Sequence, residues 1–202
     1  MTILIADDHS VVRQGVSLIL RDTFEDISID HSENFSSTLK MLETRSYDML
    51  MLDINLPDGN TVSMITECKA IDPEVKILMF SAYDEDQYAL RYIQAGASGY
   101  LNKLSSEEKI IEAVTTVING GIYSKNELKG NSAGFTVNPL DALSNRELEI
   151  AALLVKGEGN LEIANKLDIR MSTVSTYKSR IFEKLGVTNV VMLAEKYKLH
   201  IS

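Results

Sequence analysis

The sequence predicts an α/β domain, a doubly wound five-stranded parallel sheet, followed by a smaller all-α domain of four helices. Three observations carry this reading. Over residues 1–120 apolar runs of strand length alternate with amphipathic segments of helix length. That alternation ends in a Gly-, Ser- and Asn-rich stretch, after which only helix-length patterns follow. Charge is also unevenly divided: residues 1–120 hold 20 acidic and 9 basic side chains (−11), and residues 121–202 hold 9 acidic and 11 basic (+2), which together give the net −9. A chain of 202 residues with 45% hydrophobic content can bury a core, and its length suits one average domain plus a smaller one.

The elements of the first domain follow in order. "TILIA", "ISIDH", "DMLMLD", "VKILMF" and "SGYL" read as strands. "SVVRQGVSLILRDTF", "FSSTLKMLETRS", "TVSMITECKAID", "EDQYALRYIQAG" and "SEEKIIEAVTTVING" read as the helices between and after them. Strands that are apolar on both faces, separated by helices, belong to a parallel sheet covered on both sides. Local signals support the boundaries: Ser10 is a candidate cap for the first helix, Pro73 follows the third, and Gly120-Gly121 stop the fifth. "GGIYSKNELKGNSAGFTVNPLDA" shows no period and is expected to be a linker, giving domains 1–120 and 143–202 joined by 121–142.

In the second domain, "SNRELEIAALLVKG", "NLEIANKLDI", "MSTVSTYKSRIFEKLG" and "NVVMLAEKYKL" are the expected helices. Ser144 with Glu147 three residues on makes a capping box, and Gly157 and Gly186 mark stops. The second and third helices are separated by a short turn near Asp168–Met171, the spacing of a helix-turn-helix. In the third, Val174, Ile181 and Leu185 fall on an inward face. Thr173, Ser175, Thr176, Lys178, Ser179, Arg180 and Lys184 supply the polar and basic groups expected to contact DNA. Between 170 and 198, six basic residues face two acidic ones.

Some classes are set aside early. No stretch reaches the length of a membrane span, and the chain starts directly in a strand-like run without a leader pattern, so a cytoplasmic protein is expected. The one cysteine, Cys68, lies in a helical pattern and cannot by itself make an internal disulfide or a thiolate zinc site.

The chemistry lies at the strand ends. In a doubly wound sheet a site forms outside the carboxyl ends of the strands. "YDMLMLD" runs as a buried strand onto Asp53; the first strand ends in Asp7-Asp8, the fourth in Ser81, and Lys103 follows the fifth. Carboxylates brought together repel one another unless a hard divalent cation such as Mg²⁺ lies among them. With such charge neutralised, Asp53 is placed to attack phosphorus as a carboxylate nucleophile, with Lys103 and Ser81 holding the phosphoryl oxygens.

"IADDH", "MLDINLP", "FSAY" and "GASGYLNK", in this order and spacing, resemble the receiver domain of two-component response regulators, a flavodoxin-like fold, over residues 2 to about 120. The resemblance implies that Asp53 is the phosphoacceptor for a sensor histidine kinase or phosphotransfer protein. It implies that Asp7, Asp8, Asp53 and the backbone carbonyl of Asn55 hold Mg²⁺. Ser81 and Tyr100 are the switch pair it implies, and Lys103 the phosphate-binding lysine. Asn55 and Tyr83 occupy positions that tune phosphoryl lifetime in that family.

"LSNRELEIAALLVKGEGNLEIANKLDIRMSTVSTYKSRIFEKLGV", covering about residues 143–188, resembles the LuxR-type helix-turn-helix of NarL/FixJ response regulators. This implies a recognition helix near 172–185, promoter DNA as a partner, and a homodimer when phosphorylated. Two other readings exist. An aspartyl phosphatase of the haloacid dehalogenase type needs a second acid two residues after the nucleophile, where this chain has Asn55. A regulator that uses its helical domain to bind protein rather than DNA would show no salt-dependent DNA affinity.

Overall fold

The computed structural model describes residues 1–59, 61–83, 85–124 and 139–201, and falls into two compact units, Met1–Ser132 and Ala133–Ser202. In the first, β1 (Thr2–Ala6), α1 (Ser10–Thr23), β2 (Ser28–Ser32), α2 (Phe35–Thr44), β3 (Met49–Asp53), α3 (Ser63–Ile71), β4 (Lys76–Ser81), α4 (Glu85–Gln94), β5 (Gly99–Asn102) and α5 (Glu107–Ile118) follow in order. The strands form a parallel sheet in the order β2-β1-β3-β4-β5.

β3 is buried throughout, as the apolar run 49–52 requires of a central strand. Alternate residues serve opposite faces. Ile3, Ile5, Met49, Met51, Leu78, Phe80 and Leu101 share a core with Val16 and Leu20 of α1 and with Ile110, Ala113, Val114 and Val117 of α5. Leu4, Leu50, Leu52, Ile77 and Met79 point to the other face, and each is fully buried. Burying one such side chain contributes about 1.5–3 kcal/mol. The edge strand β2 carries Ser28, Asp30 and His31 and is only partly buried.

One helix start differs from the sequence expectation. Ser10 opens α1 instead of capping it: His9 is the N-cap residue, and its own N–H is taken by the Asp7 carboxylate at 2.8 Å. α2 does have a side-chain cap: Asn34 Oδ1 accepts from the Ser37 N–H at 2.8 Å.

After α5 the chain turns through Gly120, at φ +83°, and stays on the sheet. Tyr123 bridges Gly99 of β5, accepting from the Tyr100 N–H at 2.9 Å and donating to the Ser98 carbonyl at 3.0 Å. A Cβ on Gly99 would lie 2.8 Å from the Tyr123 carbonyl oxygen, so this close pairing requires glycine. Residues 125–138 of the expected linker lie outside the described residues, and Pro139–Ala142 form a 3₁₀ turn.

The second unit consists, after that turn, of α6 (Asn145–Val155), α7 (Asn160–Lys166), α8 (Met171–Leu185) and α9 (Val190–Ile201). The turn's Leu140 is buried, and the turn itself packs against α8 and α9. α6 packs on α8 and α9, and α7 on α8. The capping box is present: Ser144 Oγ accepts from the Glu147 N–H, and Glu147 Oε2 accepts from the Ser144 N–H at 2.8 Å. Gly157 and Gly186 end their helices in the left-handed region, at φ +90° and +63°.

Candidate functional site

In the first unit the carboxyl ends of β1 and β3 bring Asp7, Asp8 and Asp53 together. One ligand atom each from these three and from His9 lies within 4.8 Å of every other. Asp7 and Asp53 are buried, at 1% and 6% exposure. Lys103, beyond β5, reaches back so that its Nζ lies 2.6 Å from Asp7 Oδ2 and 2.9 Å from Asp53 Oδ2. Parallel strands make this possible, because all their carboxyl ends emerge on one edge.

Burial pushes the Asp53 carboxyl above the usual carboxylate range. Lys103 opposes this, Asp7 adds to it, and the Asn55 N–H, hydrogen-bonded to Asp53, favours ionisation. Burial also works against charge on Lys103, but its contacts with Asp7 and Asp53 outweigh it, and the ammonium holds its proton more tightly than usual. Asp7 and Asp53 thus share one close ammonium, while Asp8 Oδ1 lies 2.6 Å from His9 Nδ1. Apart from Lys103, Asp7 Oδ2 has no hydrogen-bond partner among the described residues. A buried carboxylate oxygen left to a single cation, within a set of oxygen donors, fits a hard divalent cation such as Mg²⁺.

Ser81 is buried at the end of β4, and its Oγ accepts from the Tyr83 N–H at 3.1 Å. The Tyr83 carbonyl in turn accepts from the Tyr100 hydroxyl at 3.2 Å and from Asn102 Nδ2 at 3.0 Å. Tyr100 is fully buried, its ring 6.3 Å from that of Tyr92 in α4. The Ser81 hydroxyl and the Tyr100 ring are therefore joined through one loop residue. On the outer side of this loop, Asn55 Nδ2 donates to the Tyr83 hydroxyl at 3.1 Å, bridging the loops after β3 and β4.

Two residues here were not singled out from the sequence. Arg13 is a buried guanidinium beneath the site: Nη1 donates to the Asp7 carbonyl at 2.6 Å and Nη2 pairs with Glu33. In sequence it is one polar position of an amphipathic helix, and nothing local marks it as buried. His9 has its Nδ1 2.6 Å from Asp8 Oδ1 and 3.3 Å from Asp7 Oδ1. Its adjacency to Asp7-Asp8 was a usable signal.

In the second unit, Val174, Ile181 and Leu185 of α8 are buried, so the opposite face is presented outward. Ser175, Thr176, Ser179 and Arg180 are exposed, and Thr173 and Lys178 are half-buried, with Lys178 Nζ 5.7 Å from the centre of the Phe182 ring. Thr176 and Ser179 hydroxyls donate to helix carbonyls one turn back, and Ser175 Oγ accepts from Asn160 Nδ2 at 3.1 Å. Lys184 is placed differently from the rest: its Nζ lies 2.6 Å from Glu147 Oε2, so it fastens α8 to the capping box of α6. Arg146 does the same for α7, donating to the Leu167 carbonyl at 2.9 Å. The turn before α8 passes through Asp168 at φ +49°.

Residues 3–115 match the response regulator receiver domain, and residues 141–196 match the bacterial regulatory proteins of the luxR family. The chain is 36% identical over 209 residues to the oxygen regulatory protein NreC of Staphylococcus aureus strain JH9, covering 96% of this chain and 95% of that protein. It is 33% identical over 203 residues to the Fimbriae Z protein of Escherichia coli K12, covering 98% and 97%. Among solved structures it is similar to the response regulator ChrA of a heme-sensing two-component system, at 28% identity and a TM-score of 0.50, covering 98% and 96%. It also shares its fold with RcsB from Salmonella enterica serovar Typhimurium bound to promoter rprA in the presence of the phosphomimetic BeF3⁻, at 22% identity and a TM-score of 0.55, covering 98% and 99%.

Proposed function

Since the chain belongs to the response regulators that couple a receiver domain to a LuxR-type DNA-binding domain, a family of transcription regulators and not enzymes, we propose that it is switched by phosphorylation of Asp53. The receiver (residues 1–120) takes the signal, and residues 143–202 pass it to promoter DNA through a linker at 121–142. The observation that carries this reading is the meeting of Asp7, Asp8, Asp53 and Lys103 at one edge of the sheet.

A sensor histidine kinase, or a phosphotransfer protein fed by one, is the donor. An oxygen of Asp53 attacks the phosphorus of a phosphohistidine; the P–N bond breaks and its electron pair leaves with the imidazole nitrogen. Asp7, Asp8, Asp53 and the Asn55 carbonyl would hold Mg²⁺, which would supply charge neutralisation for the phosphoryl oxygens. Lys103 moves from its pairing with Asp53 to the phosphoryl group, an exchange of one anionic partner for another at short range. The Asn55 N–H keeps the carboxyl oriented.

The response runs through the Ser81 loop. A phosphoryl oxygen accepts from the Ser81 O–H and draws the side chain inward, away from the Tyr83 N–H from which its Oγ now accepts. Moving Ser81 inward frees that N–H and shifts the Tyr83 carbonyl on which Tyr100 and Asn102 hang. The surface built from α4 and β5 changes with it, a two-state shift set by the phosphate's differential affinity for the two arrangements. A homodimer formed by the phosphorylated chain brings two α8 helices to paired half-sites, where Thr173, Ser175, Thr176, Ser179 and Arg180 meet base edges and Lys178 meets phosphate. Lys184 supports this by holding α8 in place. No described helix is long and apolar enough to cross a membrane, and the cytoplasm is the compartment where kinase and promoter meet.

The test is light scattering and gel shifts on the wild type and Asp53→Ala, each with Mg²⁺ and with or without beryllofluoride. Dimerisation and tighter DNA binding of the wild type alone is the expected result, with an affinity that falls steeply with salt. Equal behaviour of both proteins would overturn the switch, and absence of salt-dependent DNA binding would favour a protein-binding output.

A further inference from the structure

Three hydroxyl side chains on the outward face of α8 have their protons committed within the helix. Ser175 Oγ donates to the Met171 carbonyl at 3.2 Å, Thr176 Oγ1 to the Ser172 carbonyl at 3.0 Å and Ser179 Oγ to the Ser175 carbonyl at 3.2 Å. A hydroxyl has one proton and two lone pairs, so a group bonded back in this way has only lone pairs left to offer. Ser175 is held a second time, from another helix: its Oγ accepts from Asn160 Nδ2 at 3.1 Å. Asn160 is half-buried and is the first residue of α7, whose place beside α8 is fixed at several points. The Gly159 N–H donates to Glu162 Oε2 at 2.8 Å, Ile163 and Ala164 are buried, and Arg146 ties the far end through the Leu167 carbonyl. The Asn160 amide therefore reaches Ser175 from a set position.

We propose that Asn160 is a positioning residue for base recognition: by fixing the Ser175 hydroxyl with its proton turned into the helix, it makes Ser175 an acceptor-only reader that selects adenine or cytosine on the strand it meets. The inference rests on reading α8 as the DNA-recognition helix. In the major groove adenine and cytosine each expose an amino donor, whereas guanine presents a ring nitrogen and a carbonyl oxygen and thymine a carbonyl oxygen, all acceptors. An unrestrained serine serves either kind, because its O–H rotates to suit. Ser175 has its proton on the Met171 carbonyl and one lone pair on Asn160, which leaves a single lone pair for a base. A guanine or thymine edge at that point sets acceptor against acceptor, and an unmade bond there is costly. Neither Asn160 nor Ser175 carries charge. Their pairing therefore acts on the choice between sequences and leaves alone the general affinity, which comes from contacts of basic groups with phosphate.

The experiment is binding-site selection from a randomised duplex library by the full-length protein in Mg²⁺ and beryllofluoride, for the wild type, Asn160→Ala, Ser175→Ala and the double variant. The base pair at which S175A relaxes the preference is the one Ser175 reads. Base analogues then remove one group at a time from that pair: purine for adenine, or pyrimidin-2-one for cytosine, takes away the amino donor, and a deaza analogue takes away the purine ring-nitrogen acceptor. Losing the amino group is expected to weaken wild-type binding by about two- to tenfold, and S175A should be indifferent to it. N160A should lose most of this sensitivity at the same pair, and the double variant should behave as S175A does, because the two side chains act as one unit. Affinity for unrelated DNA should stay within about twofold of wild type in every variant, with the same salt dependence, which also shows that the helical domain remains folded. The proposal is overturned if S175A relaxes no position, or if removing the ring nitrogen, and not the amino group, produces the Ser175-dependent loss. It is equally overturned if N160A keeps the wild-type sensitivity, or weakens binding to all sequences alike. An enriched sequence that N160A leaves unchanged removes this role and keeps the DNA-binding reading, whereas a wild type that enriches no sequence removes both.

Discussion

Replacing Lys103 by methionine keeps most of the stem and removes the charge that holds Asp7 and Asp53 side by side. At an effective dielectric constant of about 20, contacts of 2.6 and 2.9 Å each correspond to about 6 kcal/mol of attraction. Two carboxylate oxygens up to 4.8 Å apart repel by at least about 3.5 kcal/mol on the same basis. Without Lys103 that repulsion stands alone, and it can be relieved by protonating one acid, which costs about 4 kcal/mol at pH 7 for a carboxylate of ordinary acidity. The two routes bracket the effect, so Lys103→Met is expected to destabilise the first unit by about 3.5–4 kcal/mol in the presence of a chelator. Adding Asp53→Asn removes one of the repelling charges and should return most of this loss. Mg²⁺ at a hundredfold excess over its dissociation constant should return about 2.7 kcal/mol. Amide hydrogen exchange in β3 and β4 reads the opening free energy of this unit in the intact chain. If K103M in chelator exchanges as slowly as wild type, or if D53N gives no recovery, the electrostatic account of the site is wrong.

Three further expectations concern other parts of the molecule. The Glu147 carboxyl is held below its usual range because Lys184 and the Ser144 groups outweigh the opposing effect of burial; its stabilisation is present above the ordinary glutamate range and lost as pH falls through the lower folded value. Exchange in α6 should therefore accelerate on acidification, E147Q should flatten that dependence, and K184M should cost about 1–3 kcal/mol near neutrality. The Cys68 thiol, fully buried in α3 and pushed up to about 12, should resist a disulfide reagent at pH 8 until urea unfolds the chain; fast labelling of the folded protein would contradict the packing described. Gly99→Ala should open the bridge to Tyr123, because the new Cβ meets that residue's carbonyl at 2.8 Å, and faster exchange of the Tyr100 and Tyr123 amides, with a cost of about 1–3 kcal/mol, would register it.

The sequence determined what short-range periodicity encodes. Apolar runs on both faces of 49–53 and 76–81 required a covered parallel sheet, and that alone put Asp7, Asp53, Ser81 and Lys103 at one edge, because parallel strands deliver their carboxyl ends to the same side. The Ser144–Glu147 box and the glycines at 157 and 186 are likewise local, since each is set by backbone groups within a few residues. Tertiary structure decided whatever depends on partners distant in sequence. Lys184 reads as a groove-facing cation until α8 docks on α6, 37 residues earlier, and Glu147 takes it. Arg13 reads as a solvated helix residue until Glu33 and the Asp7 carbonyl bury it, and Tyr123 reads as linker until Gly99 leaves room for it beside β5. His9 reads as the residue after two acids until the turn folds its ring back over them. A charged side chain carries no mark in one-dimensional pattern of whether water or another side chain will solvate it, and only packing chooses between them.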